Sequence, residues 1–189
     1  MTNSTETWSI DNLQDVWHLA TKMHDGQKYG GANQDEKIEY INHIASVVFE
    51  IIAAVQIDKS LNADLAIKCA LLHDTLEDTK LTYDEIVKNY GAQVAEGVKA
   101  LTKSSSIKDK HEKMTDSLAR IKAQPREVWA VKMADRITNL YAPPFYWNNE
   151  KKQEYVEEAK LIHRSLCEGC QYLADRLLKK ISDYNKYIT

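Results

Sequence analysis

The run Ala70-Leu71-Leu72-His73-Asp74-Thr75-Leu76-Glu77-Asp78-Thr79 holds more ionisable groups than an apolar core segment can carry unaided. Leu65, Cys69, Leu72 and Leu76 recur at helical spacing, so one helix face is apolar, and His73 belongs to it. Asp74 follows at once, and Glu77 and Asp78 come one turn later. Three carboxylates beside an apolar stripe each need a partner, because an unpaired buried charge is very costly. A divalent cation supplies that partner for all of them. Imidazole nitrogen with carboxylate oxygen suits a metal of the manganese, iron or zinc type.

Two other stretches place polar groups against apolar surfaces. The spacing of Ile41, Ile44, Ala45, Val48, Ile51, Ile52 and Val55 predicts a helix from about Asp35 to Gln56, with His43 beside that stripe next to Tyr40 and Val47. A helix from about Pro125 to Leu140 is apolar almost all round, through Val128, Trp129, Ala130, Val131, Met133, Ala134, Ile137 and Leu140. Lys132, Asp135 and Asn139 nevertheless share one stripe of it. His43, His73, Asp74 and Asp135 are therefore the candidate metal ligands, delivered by three helices. Two imidazoles and two carboxylates with open coordination positions suit hydrolysis by a metal-activated water. Glu77 and Asp78 are placed to orient that water and take its proton. Taken singly, His73 reads as a core histidine and Asp135 as an ion-pair partner of Lys132 or Arg136. Their acidic and polar neighbours favour the ligand reading. Asn139 is equally well placed to cap its helix.

The remaining elements are helical. Ser9 reads as an N-cap, with Trp8 and Leu13 as a hydrophobic staple, for a helix running to about His24 with Leu13, Val16, Trp17 and Ala20 inward. From Asp25 to Lys37 the chain is glycine-rich and polar and has no period, which predicts a loop. Asn62 caps the helix that delivers His73. Thr82 and Glu85 form a capping box for a short helix that Gly91 ends, and another runs from Ala92 to Leu101. Ser104-Ser105-Ser106 and the charged run from Lys108 to Lys113 predict a loop and a wet helix face. Pro143-Pro144 stop the Asp135 helix ahead of the aromatic group Phe145, Tyr146 and Trp147, whose role stays open between core packing and base stacking. Helices of about 150–168 and 170–184 close the chain. The expectation is an all-α fold, a single helical domain over 9–189 preceded by eight flexible residues, with no strand pair.

Composition sets wide limits. A length of 189 residues, a hydrophobic fraction of 43% and a charged fraction of 28% describe an ordinary globular domain. The formal net charge of -3 gives no electrostatic reason to expect nucleic acid or an anionic membrane as partner. The start carries neither the basic end nor the apolar core of a secretory signal, and the apolar region from Ile44 to Val55 is too short to span a bilayer. Cys69, Cys167 and Cys170 make an odd count, against a disulfide framework. His163, Cys167 and Cys170 share one helical face, a weak soft-metal pattern that reads better as reduced thiols. The expected location is cytoplasmic. Homo-oligomerisation does not follow from the sequence in either direction.

Four blocks in order resemble a known family. His43, His73-Asp74 and Asp135 match the H…HD…D signature of the HD-domain phosphohydrolases. Tyr40-Ile41-Asn42-His43, Leu72 to Thr79, Tyr90-Gly91-Ala92-Gln93-Val94 and Lys132 to Leu140 are similar to the RelA/SpoT hydrolase domain, over about Trp17 to Leu140. A chain made of that domain alone resembles the small alarmone hydrolases. The resemblance implies an HD-type helical bundle built around a Mn²⁺ site, another divalent transition metal being an alternative. It implies removal of the 3′-pyrophosphate from (p)ppGpp, with ligands His43, His73, Asp74 and Asp135 and catalytic Glu77 and Asp78. It places Asn139 against the nucleotide sugar, Lys28 by the base and Lys132 as a neighbouring basic residue. Departures from the family pattern fall in the segment after Gln27 and in Leu140 to Pro144, where base and ribose bind. The adenine alarmone (p)ppApp and a phosphatase activity on NADPH or another nucleotide are therefore the alternative substrates. A nucleotide-binding interaction protein on the same scaffold is the non-enzymatic alternative.

Overall fold

The computed structural model describes residues 9–188; the Trp8 half of the expected staple and the first eight residues lie outside it. Helix α1 (Ile10–Met23) begins where the Ser9 side chain accepts the Asn12 amide at 3.2 Å, and it buries Val16 and Ala20. Gly26, at φ 73°, makes the turn that ends this segment. The chain next forms a small antiparallel hairpin, β1 (Lys28–Gly30) and β2 (Lys37–Glu39), with Tyr29 opposite Ile38. This corrects the expectation of a structureless loop with no strand pair. It also moves the start of α2 (Ile41–Ile57) past Asp35. Asp35 takes φ 63°, and the Glu36 carboxylate accepts both the amide and the side-chain NH₂ of Asn33, so these residues close a turn instead of starting a helix.

The buried face of α2 is wider than its apolar stripe and includes His43 and Val47, while Ile41, Ala45 and Ile52 are half-buried. The cause is packing on two sides, against α3 (Ala63–Leu72) and α8 (Arg126–Asn139). Asn62 caps α3 by accepting the Leu65 amide at 3.1 Å, and α3 ends at His73. A single turn, α4 (Thr75–Asp78), follows, closed by the Thr79 hydroxyl donating to the Thr75 carbonyl at 2.7 Å. The Thr82–Glu85 capping box opens α5 (Tyr83–Tyr90), and Gly91 at φ 87° separates it from α6 (Ala92–Leu101). Asp109 caps α7 (Lys110–Lys122).

Helix α8 is the hub, buried from Val128 to Thr138 except for the half-buried Trp129, and packed against α2, α3, α6, α7, α9 (Asn149–Leu166) and α10 (Gln171–Tyr184). Each aliphatic side chain fully buried there contributes about 1.5–3 kcal/mol. A 3₁₀ turn at Cys167–Gly169 divides α9 from α10. The break falls where the sequence places it, between helices of about 150–168 and 170–184, and it sets His163, Cys167 and Cys170 on separate elements, which corrects the expectation that they share one helical face. All three cysteines are free thiols. Among the described residues no helix is long and apolar enough to cross a membrane.

Candidate active site

Three helices meet at one buried point. His43 sits in the first turn of α2, His73 caps the end of α3, and Asp135 projects from the middle of α8. They are 8%, 3% and 9% exposed, and one potential ligand atom from each lies within 4.8 Å of the others. The two Nε2 atoms are 3.3 Å apart, and His43 Nε2 is 3.5 Å from Asp135 Oδ1. Asp74 adjoins this trio: its Oδ2 lies 3.0 Å from His73 Nε2 and 3.7 Å from His43 Nε2.

The outer hydrogen bonds decide which ring nitrogens carry hydrogen. His73 Nδ1 faces the Ala70 carbonyl at 2.8 Å, which only accepts, so Nδ1 donates. The Thr138 hydroxyl gives its proton to the Asp135 carbonyl at 2.9 Å, leaving its oxygen to accept from His43 Nδ1 at 3.3 Å. In the neutral rings both Nε2 atoms thus turn lone pairs inward, beside the two carboxylates. Four acceptors converging at one point need positive charge between them, as a metal ion or as imidazole protons. The residues fit a divalent ion.

Protons are the alternative counter-charge. Burial depresses the His73 imidazole, but Asp74 and then Asp135 more than offset it and raise its pKa to about 9. Burial likewise opposes ionisation of Asp74 and Asp135. The neighbouring His73 overrides it for Asp74, and Lys132 with His43 overrides it for Asp135, so both carboxylates stay ionised well below their usual range. His43 and His73 would give up these protons if they held a divalent ion.

The acidic pair lies on α4 and opens onto the same cleft of about 880 Å³ as the trio. Glu77 is partly engaged, its Oε2 accepting the Lys103 amide at 2.9 Å. The Asp78 carboxylate makes no hydrogen bond among the described residues. Partial burial, then Asp74 and Glu77, raise its pKa, which makes it a better proton acceptor than an ordinary aspartate.

The sequence profile of the HD domain (HD_4) matches residues 16–168. The chain belongs to the HD-domain family. A relative from Danio rerio, guanosine-3′,5′-bis(diphosphate) 3′-pyrophosphohydrolase MESH1, is 30% identical over 159 residues, covering 82% of this chain and 83% of that protein. The Aquifex aeolicus guanosine-3′,5′-bis(diphosphate) 3′-pyrophosphohydrolase is 32% identical over 158 residues, and there 82% of this chain spans 21% of the relative's length. A solved structure described as a metazoan ortholog of SpoT that hydrolyzes ppGpp superposes with a TM-score of 0.78. It is 21% identical and covers 94% of this chain and 97% of that one, a likeness of fold. The all-α HD fold and the RelA/SpoT-type resemblance are borne out, and the chain is an HD-family phosphohydrolase.

Within this HD domain the remaining expected site residues fare differently. Lys132, 6% exposed, donates from Nζ to Asp135 Oδ2 at 2.9 Å, and Asn139 Nδ2 donates to Asp135 Oδ1 at 2.6 Å. Both line the cleft, and both hold the Asp135 carboxylate. Lys28 does not line it: its ammonium pairs with Glu39 across the hairpin at 2.6 Å, on the exposed surface. The post-α8 segment takes a place on the rim instead. The Phe145 amide donates to the Gly31 carbonyl at 3.3 Å, and a Cβ on Gly30 would stand 3.1 Å from the Tyr146 ring. Tyr146 is 63% exposed on the cleft edge, so it is not core, whereas Trp147 packs edge-on to Tyr155.

Two supporting residues were not singled out from the sequence. Thr138, which fixes His43, stands three residues after Asp135, the spacing of a shared helix face. Tyr40 donates to Asp74 Oδ2 at 2.5 Å across 34 residues of chain, and its sequence signal is its place at the head of the block that ends in His43.

Proposed function

We propose that this protein is a Mn²⁺-dependent 3′-pyrophosphohydrolase of the alarmone (p)ppGpp, acting in the cytoplasm as one catalytic domain over 9–189. The observation that carries the reading is the shared cleft, with the His43–His73–Asp135 trio on its floor and Glu77 and Asp78 on its wall. The ligand set is completed by Asp74, whose carboxylate adjoins both imidazoles. Relatives of this HD domain bear the name of that activity. Free thiols and an absence of basic excess accord with a small phosphorylated nucleotide as partner in a reducing compartment.

His43, His73, Asp74 and Asp135 would hold the ion, which would supply positive charge for hydrolysis of the phosphoester. Lys132 and Asn139 fasten the Asp135 carboxylate for that role. Asp78 accepts the proton of the attacking water, and Glu77 orients that water with its remaining oxygen. Lys132 and Asn139 also face the cleft, where they can reach the nucleotide once it enters.

The placement of Lys28 favours keeping a second substrate in view. The rim here is aromatic, with Tyr29 and Tyr146, and an aromatic face stacks on adenine as well as guanine. Purified protein assayed with Mn²⁺, and again after chelation, against ppGpp, ppApp, NADPH and nucleoside monophosphates tests both readings. The expected result is pyrophosphate release from ppGpp that requires the ion. Preference for ppApp at the same pyrophosphate release would transfer the proposal to the adenine alarmone, and release of single phosphates alone would overturn it.

A further inference from the structure

The acidic pair rides on a helix of one turn, Thr75–Asp78. So short a helix closes too few hydrogen bonds to hold itself in place. Its start is held through Asp74, whose Oδ2 accepts the Tyr40 hydroxyl at 2.5 Å. Its end is held through the Asp78 carbonyl, which accepts Gln27 Nε2 at 2.7 Å. Gln27 Oε1 faces His24 Nδ1 at 2.7 Å and, being an acceptor, requires Nδ1 to donate.

His24 in turn reaches Tyr40. It is 2% exposed, and its ring stacks on the Tyr40 ring with centroids 5.1 Å apart. The Tyr40 amide donates to the Gln27 carbonyl at 2.8 Å, and the Gly26 turn returns the Gln27 amide to the His24 carbonyl at 3.1 Å. These residues close a bracket that touches α4 at both ends. Because the Asp78 carboxylate has no hydrogen bond among the described residues, its place over the cleft depends on the backbone that Gln27 holds.

We propose that His24, Gln27 and Tyr40 are positioning residues. Tyr40 aims the Asp74 carboxylate at the ion, and Gln27 fixes the peptide that presents Asp78, with His24 locking the two together. The kinetic part of this inference rests on the pyrophosphohydrolase reading; the ion-binding and exchange parts do not.

The test compares Tyr40→Phe and Gln27→Met with the unaltered chain by calorimetric titration with MnCl₂, amide hydrogen exchange over residues 74–79, and kcat and KM on ppGpp. Tyr40→Phe is expected to weaken Mn²⁺ binding about 10–100-fold, the usual effect of losing an outer partner of a ligand. Gln27→Met is expected to leave Mn²⁺ affinity unchanged and to speed exchange at the Asp78 and Thr79 amides. It should also lower kcat on the order of tenfold at an unchanged KM. Should Gln27→Met fail to fold, Gln27→Glu, which also cannot donate to the Asp78 carbonyl at neutral pH, replaces it. Unaltered Mn²⁺ affinity in Tyr40→Phe, or unaltered exchange in the Gln27 variant, overturns the inference. If the unaltered chain binds Mn²⁺ but leaves ppGpp intact, the substrate reading fails and the bracket is judged on binding and exchange alone.

Discussion

The floor and the rim of the cleft are built in opposite ways. The floor is made of buried side chains on helix interiors or helix ends, each fastened by a partner: His43 by Thr138 across from α8, and His73 by Ala70 and Asp135 by Lys132 and Asn139 within their own helices. The rim is made of two three-residue strands and a proline-broken segment, joined among the described residues by one backbone hydrogen bond and the close approach of Tyr146 to Gly30. On the proposed function, a rigid floor fixes the chemistry, and a sparsely fastened rim is free to set which nucleotide is accepted.

The largest effect expected from this contrast comes from the floor. Asp135→Ala removes a ligand candidate and leaves Lys132 buried without its partner, so both Mn²⁺ binding and turnover should fall to background, read by titration and by pyrophosphate release. Retained Mn²⁺ affinity would break the comparison at its base. Next comes Asp78→Asn, which keeps the shape of the wall but removes the proton acceptor. It should cost about 10²–10⁴-fold in kcat with Mn²⁺ affinity unchanged. An equal loss of ion binding would move Asp78 from the wall to the floor. The smallest effect belongs to the rim: Tyr146→Ala should raise KM by roughly fivefold, the worth of about 1 kcal/mol of base stacking, and leave Mn²⁺ affinity alone. A changed ratio of ppGpp to ppApp turnover in that variant would sharpen the assignment of specificity to the rim.

The same contrast explains what could be read from the sequence. His73, Asp74 and Asp135 sit in stretches long enough for helical periodicity to show which face is apolar, and a charge on that face stands out. The α5 capping box and the α3 cap were legible because each is complete within four residues. The hairpin was not, since three-residue strands show no alternation and the turn depends on Asp35 at φ 63° and on Glu36 folding back onto Asn33. The position of Lys28 followed from that missed hairpin, because its partner Glu39 is fixed only by strand register. The contact of Tyr40 with Asp74 joins residues distant along the chain and leaves no local pattern. The burial of His43 depended on α8 covering a second flank of α2, which no periodicity within α2 reports.

Crystals of the protein soaked in MnCl₂ and recorded at the manganese absorption edge test the central claim most directly. The account predicts one strong anomalous peak bonded by His43, His73, Asp74 and Asp135, with Glu77 and Asp78 facing it across open cleft. No peak at that point, or a peak elsewhere on the chain with the two imidazoles unligated, would contradict it.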